Sequence, residues 1–183
     1  MQKDTIFALS TPQGVGGVAV IRISGPQAQA ALQALFQPAG TSPMEPRKLI
    51  YGRFVFDGTQ IDDGMAVLFC APASYTGEDS AELHCHGSLA VVQQLLGALG
   101  TLPGLRPAEP GEFTKRAFLH GKMDLSQAEA VMDLIGAEGL AAARQSLSQL
   151  HGTLFAKVDG ICDALTLALA GIEAGLDFPE DDW

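Results

Sequence analysis

The sequence predicts an α+β protein in which a mixed α/β region is followed by an all-α helical segment. Short β-prone apolar runs alternate with turn residues and amphipathic stretches up to about residue 109. Beyond the segment 110–130, apolar residues recur almost entirely at helical spacing. A hydrophobic content of 47% with 17% charged residues indicates a globular chain. We place the first domain at residues 1–120 and the helical segment at 121–183.

Five strands and two helices are predicted before residue 100. The apolar runs that predict strands lie at 5–10, 18–23, 49–56, 65–70 and 81–86. The third and fourth runs are joined across DGTQIDDG, which predicts an antiparallel hairpin. Helices are predicted at 26–36, which opens with a proline, and at 89–99.

The segment 110–130, PGEFTKRAFLHGKMDLSQAEA, predicts a helix, a tight turn and a second helix. Gly121 offers a left-handed end to the first helix, because glycine adopts that conformation without steric penalty. Ser126 and Glu129 have the spacing of a capping box, which predicts the start of the second helix. Three cations are expected around the turn: Lys115, Arg116 and Lys122.

The last part of the chain predicts one long amphipathic helix. Residues 140–176 would span roughly 55 Å at 1.5 Å per residue, with a bend at Gly152 or Gly160. No later helix covers the apolar stripe, so we expect it to pair with another chain or to resist ordering. The stripe comprises Leu147, Leu150, Leu154, Val158, Ile161, Leu165, Leu169, Ile172 and Leu176.

Composition and charge exclude several classes of function. No run approaches the roughly 20 apolar residues of a membrane span, and the N-terminus lacks the features of a signal peptide. Three cysteines without C-x-x-C spacing favour reduced thiols in the cytoplasm. The net charge of −10 divides into +3 over residues 1–53 and −13 over the remainder. This acidic surface disfavours direct binding of nucleic acid by this chain.

Two strands carry polar residues that predict a binding site. Arg22 lies among apolar neighbours in the second strand, so it needs a partner or an anion. Glu82, His84 and His86 alternate along a later strand and project from one face. This face is compatible with a metal site or with two buried, hydrogen-bonded histidines, and a polar surface turned towards a ligand is favoured. The Gly-rich loop TPQGVGG precedes a strand, so it is not a dinucleotide fingerprint.

Four long blocks resemble a known family. DTIFALSTPQGVGGVAVIRISGP, SYTGEDSAELHCHGS, EPGEFTKRAFLHGKMDLSQAEAVMDLI and GLDFPEDD occur in this order along the chain. They resemble the N-terminal part of the tRNA-modifying GTPases called MnmE or TrmE, and the resemblance covers essentially all 183 residues.

The resemblance implies a folate-binding, aminomethyltransferase-like α/β domain that forms a homodimer, followed by a helical domain with an inserted GTPase domain. It also implies action with an FAD-dependent partner of the MnmG or GidA type. Together these proteins would build an aminomethyl-type group at C5 of the wobble uridine of tRNA. The one-carbon donor would be 5-formyl- or 5,10-methylene-tetrahydrofolate. The GTPase activity of the family requires Mg²⁺ and K⁺.

The sequence departs from the full family pattern. It contains no G-x-x-x-x-G-K-[ST] motif and no C-terminal cysteine motif, and Ser88 replaces the usual second glycine after H-G. We therefore expect a fragment of a longer protein, with GTP, Mg²⁺ and K⁺ bound by the domain that is missing. We expect no GTP binding or hydrolysis by these 183 residues.

The resemblance places the folate site at Arg22, Glu82 and Lys122, and it assigns no catalytic residue and no metal ligand to this part of the family. A free-standing folate-dependent one-carbon transferase is one alternative, with His84 or His86 as the acid–base group. A metal-dependent hydrolase using Glu82, His84 and His86 is another. A pure interaction module that docks through its long helix is the third.

Overall fold

The computed structural model describes residues 4–40 and 44–177, with the backbone alone for 153–156, 175 and 177. The chain divides into two compact units, Met1–Lys122 and Met123–Trp183. The first is a mixed sheet with helices and the second is helical, which confirms the predicted α+β class. Residues 178–182 of the closing GLDFPEDD block lie outside the described residues, as do 1–3, 41–43 and Trp183.

Seven strands of the described first unit form one sheet in the order β3-β4-β5-β6-β2-β1-β7. All neighbours are antiparallel except β1 and β7, which are parallel. The strands are β1 (Thr5–Leu9), β2 (Gly16–Ser24), β3 (Phe36–Pro38), β4 (Ile50–Phe56), β5 (Thr59–Phe69), β6 (Ser80–Gly87) and β7 (Leu105–Pro107). The helices are α1 (Ala28–Leu35), α2 (Leu89–Thr101) and α3 (Glu112–Leu119).

All five predicted strands and the hairpin are confirmed, but three features differ from the sequence prediction. Strands β3 and β7 were not predicted, because three residues are too few to show periodicity. Strand β5 begins at Thr59 rather than at residue 65, since its polar first half pairs with β4. The turn is therefore only Asp57-Gly58, with φ of 49° and 73°, as two-residue hairpins require.

The hydrophobic core lies on one face of the sheet. Helix α1 packs against β3, β4 and β6, and helix α2 packs against β1, β2, β5, β6 and β7. Alternate residues of the central strands point into this layer, which is why these strands show period-2 patterning. The largest fully buried core side chains are Phe54, Ile21, Ile23, Leu32, Leu35, Leu83, Leu95 and Leu99.

The opposite face of the sheet carries polar and partly exposed residues. Arg22 pairs with Glu82, and Glu82 pairs with Val67, so these three form one cross-strand row on this face. In the next row, His84 pairs with Val20 on β2 and Met65 on β5, and Met65 pairs with Tyr51 on β4. The rings of Tyr75 and Phe113 lie over Arg22 on this face, whereas Tyr51 and Met65 are exposed. The face is therefore uncovered around Tyr51 and Met65, and its partly exposed side chains are available to a ligand.

The second unit contains three helices in its described part: α4 (Leu125–Ile135), α5 (Leu140–Leu150) and α6 (Thr153–Asp177). The predicted long helix is broken at Gly152, which has φ of 76°, and it continues through Gly160. Helix α6 is therefore about 37 Å long rather than 55 Å. The apolar stripe along it is exposed at Val158, Ile161, Leu165, Leu169, Ile172 and Leu176.

The predicted capping box at Ser126 and Glu129 is wrong by two residues. The N-cap of α4 is Asp124, whose Oδ1 accepts a hydrogen bond from Gln127 N at 2.8 Å, and Gln127 Oε1 accepts from Asp124 N at 2.9 Å. Ser126 lies in the first turn and donates to Asp124 Oδ1, which lowers the pKa of Asp124. Gln127 Nε2 also donates to Leu150 O, so the same residue satisfies a carbonyl at the end of α5.

None of the described helices is both long enough and apolar enough to cross a membrane.

The observed cap of α4 generates a stability prediction. Asp124→Ala should lower the free energy of opening of the α4 amides by about 1 kcal/mol, because it leaves the Gln127 N–H and the Ser126 hydroxyl without their acceptor. Hydrogen exchange of residues 125–135 measures this value. Glu129→Ala is the control, since Glu129 is exposed, and it should change the value by less than about 0.5 kcal/mol. If Glu129→Ala lowered this free energy more than Asp124→Ala does, the capping box would lie at Ser126 and Glu129, as the sequence predicted.

Candidate functional site

An ion pair between β2 and β6 forms the centre of the site. Arg22 Nε and Nη2 both donate to Glu82 Oε1, at 3.0 and 2.8 Å. The two side chains are only 28% and 18% exposed, so the pair is partly removed from water. Glu82 Oε2 lies 3.3 Å from His84 Nε2. The partner that a strand-interior arginine requires is therefore Glu82.

Two aromatic rings contact the guanidinium of Arg22. Its Cζ lies 5.1 Å from the ring centroid of Tyr75 and 5.9 Å from that of Phe113. Tyr75 belongs to the loop 70–79, whereas Phe113 lies on α3, and the Tyr75 hydroxyl is 3.0 Å from Thr114 Oγ1. Cation–π contacts with both rings therefore favour the charged guanidinium at this position.

A cavity of about 320 Å³ opens beside this ion pair. Its wall combines two guanidinium groups, one carboxylate and two aromatic rings. The lining side chains that matter for recognition are Arg22, Arg47, Phe69, Ser74, Tyr75 and Glu82. The arrangement suits a planar ligand that carries both hydrogen-bond donors and negative charge.

Lys122, the third predicted site residue, does not line this cavity. Its Nζ donates to Pro72 O at 3.1 Å, at the start of the loop that carries Tyr75. His120 Nδ1 lies 2.8 Å from Thr76 O in the same loop. Gly77 has φ of 78°, and a Cβ there would approach His120 Cβ to 3.0 Å. The turn at 120–122 therefore packs closely on this loop.

Sequence reasoning did not identify several residues of the cavity. Arg47 has φ of 64°, its N–H donates to Leu68 O, and its Nη2 lies 3.4 Å from Ala73 O. Nothing in the sequence marks a loop arginine for this conformation. Tyr75 and Phe113 do lie in two of the blocks that carry the family resemblance, and this was the feature of the sequence that could have identified them. Phe69 was assigned to a strand but not to the site.

The described residues contain no group of three or more side chains placed to hold a metal ion. Glu82 and His84 are adjacent, but His86 pairs with Asp62 instead. Its Nδ1 lies 2.8 Å from Asp62 Oδ1, and its N–H donates to Asp62 Oδ2. The hydrogen bond with Asp62, followed by the charge of that carboxylate, raises the pKa of His86.

A second ionic cluster lies behind the site, around Arg116. The sequence suggested a cation at an exposed turn, but Arg116 is 1% exposed. Its guanidinium donates to Asp4 Oδ1 at 3.0 Å, to Glu112 Oε1 at 3.1 Å and to Glu78 Oε2 at 3.2 Å. Arg106 donates to Glu112 Oε1 at 2.6 Å and to Asp4 Oδ2 at 2.6 Å. Helix spacing alone cannot show that these distant carboxylates converge.

Comparison with known protein families supports the resemblance found in the sequence. The family described as "GTP-binding protein TrmE N-terminus" matches residues 5–122, and the family described as "MnmE helical domain" matches residues 125–183. The chain belongs to the MnmE family. The predicted resemblance is thereby confirmed over both units of the structure.

Curated relatives include bacterial and mitochondrial members of the MnmE family. A tRNA modification GTPase MnmE from Parvibaculum lavamentivorans is 49% identical over 98% of this chain and 41% of its own length. One from Phenylobacterium zucineum is 51% identical over 98% of this chain and 40% of its own length. A mitochondrial 5-taurinomethyluridine-tRNA synthase subunit from Rattus norvegicus is 48% identical over 97% of this chain and 36% of its own length. The chain thus spans about two-fifths of these relatives.

The cluster behind the site predicts a specific pH dependence. The hydrogen bond from Arg106 lowers the pKa of Glu112 to about 2, below its ordinary value of 4.5. The ionised Glu112 carboxylate therefore stabilises the folded chain fully above about pH 4.5, and this stabilisation is lost as the pH falls towards 2. Urea unfolding of the chain should show a loss on the order of 3 kcal/mol from this group across that window.

Glu112→Gln should be less stable than the wild type at pH 6, and the difference should shrink towards pH 2. Glu109→Gln is the control, because Glu109 is exposed and lies in the turn just before the same helix. An equal pH dependence of the wild type and Glu112→Gln would show that this carboxylate is not stabilised in the fold.

Proposed function

We propose that this chain is the folate-binding and dimerising part of a GTPase that modifies the wobble uridine of tRNA. Residues 1–120 would form the folate domain and residues 121–183 would begin the helical domain. The observation that carries the proposal is the partly buried Glu82 carboxylate at the wall of the 320 Å³ cavity, held there by Arg22. Membership of the MnmE family supports the assignment.

The residues around the cavity fit a reduced folate. A pterin ring is planar and presents adjacent hydrogen-bond donors, which one carboxylate can accept as a pair. Glu82 offers such a carboxylate, and the Tyr75 ring offers an apolar surface beside it. The cavity volume falls at the lower end of the range of about 300–1,000 Å³ found for small-molecule sites.

The contacts of Arg22 refine its role in this proposal. Its guanidinium is occupied by Glu82 and by two aromatic rings, so we assign it to orienting Glu82. The carboxylates of the folate tail would then be met by other cations. Arg47 at the cavity wall and Lys122 beside Pro72 are the groups that we assign to them.

The bound folate, a 5-formyl- or 5,10-methylene-tetrahydrofolate, would supply the one-carbon unit. The residues of this chain would bind and orient it, and we assign no catalytic residue among them. Modification of tRNA would require an FAD-dependent partner of the MnmG or GidA type. GTP hydrolysis with Mg²⁺ and K⁺ would require the GTPase domain of the family. We propose a cytoplasmic location, although some relatives are mitochondrial.

One observation favours a second candidate function. His84 Nε2 lies 3.3 Å from Glu82 Oε2, so a histidine and a carboxylate are in contact close to the cavity. Such a pair is suited to acid–base catalysis by a free-standing folate-dependent one-carbon transferase. Transfer of the one-carbon unit from 5,10-methylene-tetrahydrofolate to a small amine by this chain alone would favour that alternative.

The folate proposal predicts the effect of removing the carboxylate. Glu82→Ala should weaken binding of 5-formyl-tetrahydrofolate by more than about 1.5 kcal/mol, roughly tenfold in Kd, because donors of the ligand lose their acceptor. Isothermal calorimetry without GTP, metal or tRNA measures this. His86→Ala is the control, since His86 lies on the same face of β6 but does not line the cavity. Equal affinities of the wild type and Glu82→Ala would remove Glu82 from the site.

We further propose that the homodimer forms through the uncovered face of the sheet. Tyr51 and Met65 are neighbours in the β4–β5 register and are 57% and 40% exposed. Exposed apolar side chains on a sheet face favour coverage by another surface, and a second copy of the chain is the partner that the family resemblance implies.

This dimer proposal predicts that Met65→Asp weakens self-association at least about tenfold, because a charge would be desolvated in the interface. Sedimentation velocity over a dilution series measures the change. Leu89→Asp is the control, because it places the same charge at an exposed apolar residue at the start of α2. If both variants associate as the wild type does, the interface lies elsewhere.

A further inference from the structure

We propose that Arg116 is a positioning residue that holds Tyr75 and Phe113, the two aromatic walls beside Arg22, at their working separation. Arg116 does not line the cavity and would not touch the ligand. The inference rests on the proposed folate function for its biological meaning. The predicted effect of Arg116 on the positions of these rings involves only residues 4–122, so it can be tested without a ligand.

The guanidinium of Arg116 joins three separate segments of the chain. Nη1 donates to Asp4 O at 3.0 Å and to Glu78 Oε2 at 3.2 Å, and Nη2 donates to Glu112 Oε1 at 3.1 Å. Asp4 precedes β1, Glu78 lies in the loop 70–79, and Glu112 begins α3. Because Arg116 is 1% exposed, these contacts are shielded from water and have well-defined geometry.

The first aromatic wall depends on Glu78. Glu78 O accepts a hydrogen bond from Ser74 Oγ, so this residue and Tyr75 are part of one compact loop. Glu78 Oε2 also accepts from Ser24 Oγ at 2.8 Å. Ser24 is two residues beyond Arg22 on β2 and therefore points to the same face. The carboxylate of Glu78 thus connects the loop of Tyr75 both to Arg116 and to the strand of Arg22.

The second aromatic wall depends on α3. Phe113 follows Glu112 directly, and Arg116 lies one turn later on the same helix. The two walls are joined by the contact of 3.0 Å between the Tyr75 hydroxyl and Thr114 Oγ1. Since Tyr75 and Phe113 come from different segments, their separation beside Arg22 is set by what ties those segments together. Arg116 makes one such connection, in the buried interior, through Glu78 and Glu112. His120 and Lys122 make others at the end of α3, through Thr76 O and Pro72 O.

Arg106 provides a natural comparison within the same cluster. It donates to Asp4 and Glu112, as Arg116 does, and no hydrogen bond of the described residues joins it to Glu78. Loss of Arg106 therefore removes charge and hydrogen bonds from the cluster but leaves the loop of Tyr75 connected. Arg106→Met is accordingly the matched control for a purely structural contribution of the cluster.

Arg116→Lys is the informative variant because it keeps the positive charge. A guanidinium directs several donors in fixed directions, whereas an ammonium is a single charged group on a flexible stem. One ammonium cannot reproduce the fork that reaches Asp4, Glu78 and Glu112 together. We expect the loop of Tyr75 and helix α3 to separate in this variant, while the charge of the cluster remains.

The first measurement is a nuclear magnetic resonance spectrum of the arginine Nε–Hε groups in the chain without ligand. The Arg22 guanidinium lies over the rings of Tyr75 and Phe113, so their ring currents displace the Nε–Hε resonance, which Arg22→Lys identifies by its loss. In Arg116→Lys this resonance should move towards that of the exposed Arg144, and in Arg106→Met it should stay in place. An unchanged Arg22 resonance in Arg116→Lys would overturn the inference, as would equal displacement in both variants.

The second measurement is calorimetric titration with 5-formyl-tetrahydrofolate. Arg116→Lys should weaken binding by about tenfold or more, and Arg106→Met should change it less than about threefold. In the Arg116→Lys background, Tyr75→Leu should lose less affinity than in the wild type, because the wall is already displaced. Full additivity of the two substitutions would show that Arg116 does not act through Tyr75, which contradicts the proposal.

The two proposals fail in distinguishable ways. If the wild type does not bind 5-formyl-tetrahydrofolate but Arg116→Lys still displaces the Arg22 resonance, the folate function is wrong and the positioning role stands. If folate binds equally well to the wild type and Arg116→Lys, the positioning role is wrong. Should Arg116→Lys not fold, Glu78→Gln replaces it, since it removes the charge that faces Arg116 and retains an acceptor for Ser24. An undisplaced Arg22 resonance in Glu78→Gln would then overturn the inference.

Discussion

The register between β2 and β6 places Arg22 opposite Glu82, and the rest of the first unit is arranged around that pairing. Residues Ile21 and Leu83 are also directly opposite each other, and both point into the core. A shift of one residue in either strand would turn a charged side chain into the core and an aliphatic one towards water. The hydrophobic layer and the ion pair therefore specify the same register, each from its own face of the sheet.

The buried and partly buried arginines of the first unit are paired with carboxylates. Arg22 is matched by Glu82, while Arg106 and Arg116 are surrounded by Asp4, Glu78 and Glu112. Desolvation of such groups offsets part of their mutual attraction, so the number of pairs is not a measure of stability. Their effect is on geometry, because each carboxylate has few positions in which its arginine is satisfied. The loop 70–79 and α3 are thus oriented by charge rather than by hydrophobic burial.

Sequence patterns were sufficient for the elements that bury a regular apolar face. The longer strands and helices α1 and α2 were predicted because period 2 or 3.6 is visible within one segment. The three-residue strands β3 and β7 and the polar half of β5 were not, since their pairing depends on a neighbour that is distant in sequence. The start of α4 was displaced because D-L-S-Q and S-Q-A-E both satisfy a capping pattern. Only the backbone geometry selects Asp124.

The sequence by itself determined the family and the fold class, and it predicted that Arg22 and Glu82 belong to a binding site. Long blocks and a charged residue inside an apolar strand carry that information locally. The tertiary structure alone decided that these two residues pair with each other, that Tyr75 and Phe113 contact Arg22, and that Arg116 is buried. The reason is that each of these contacts joins segments far apart in the chain, such as Asp4 and Arg116. These contacts follow from the pairing of the strands in the sheet and from charge compensation, and no local pattern of residues predicts either one.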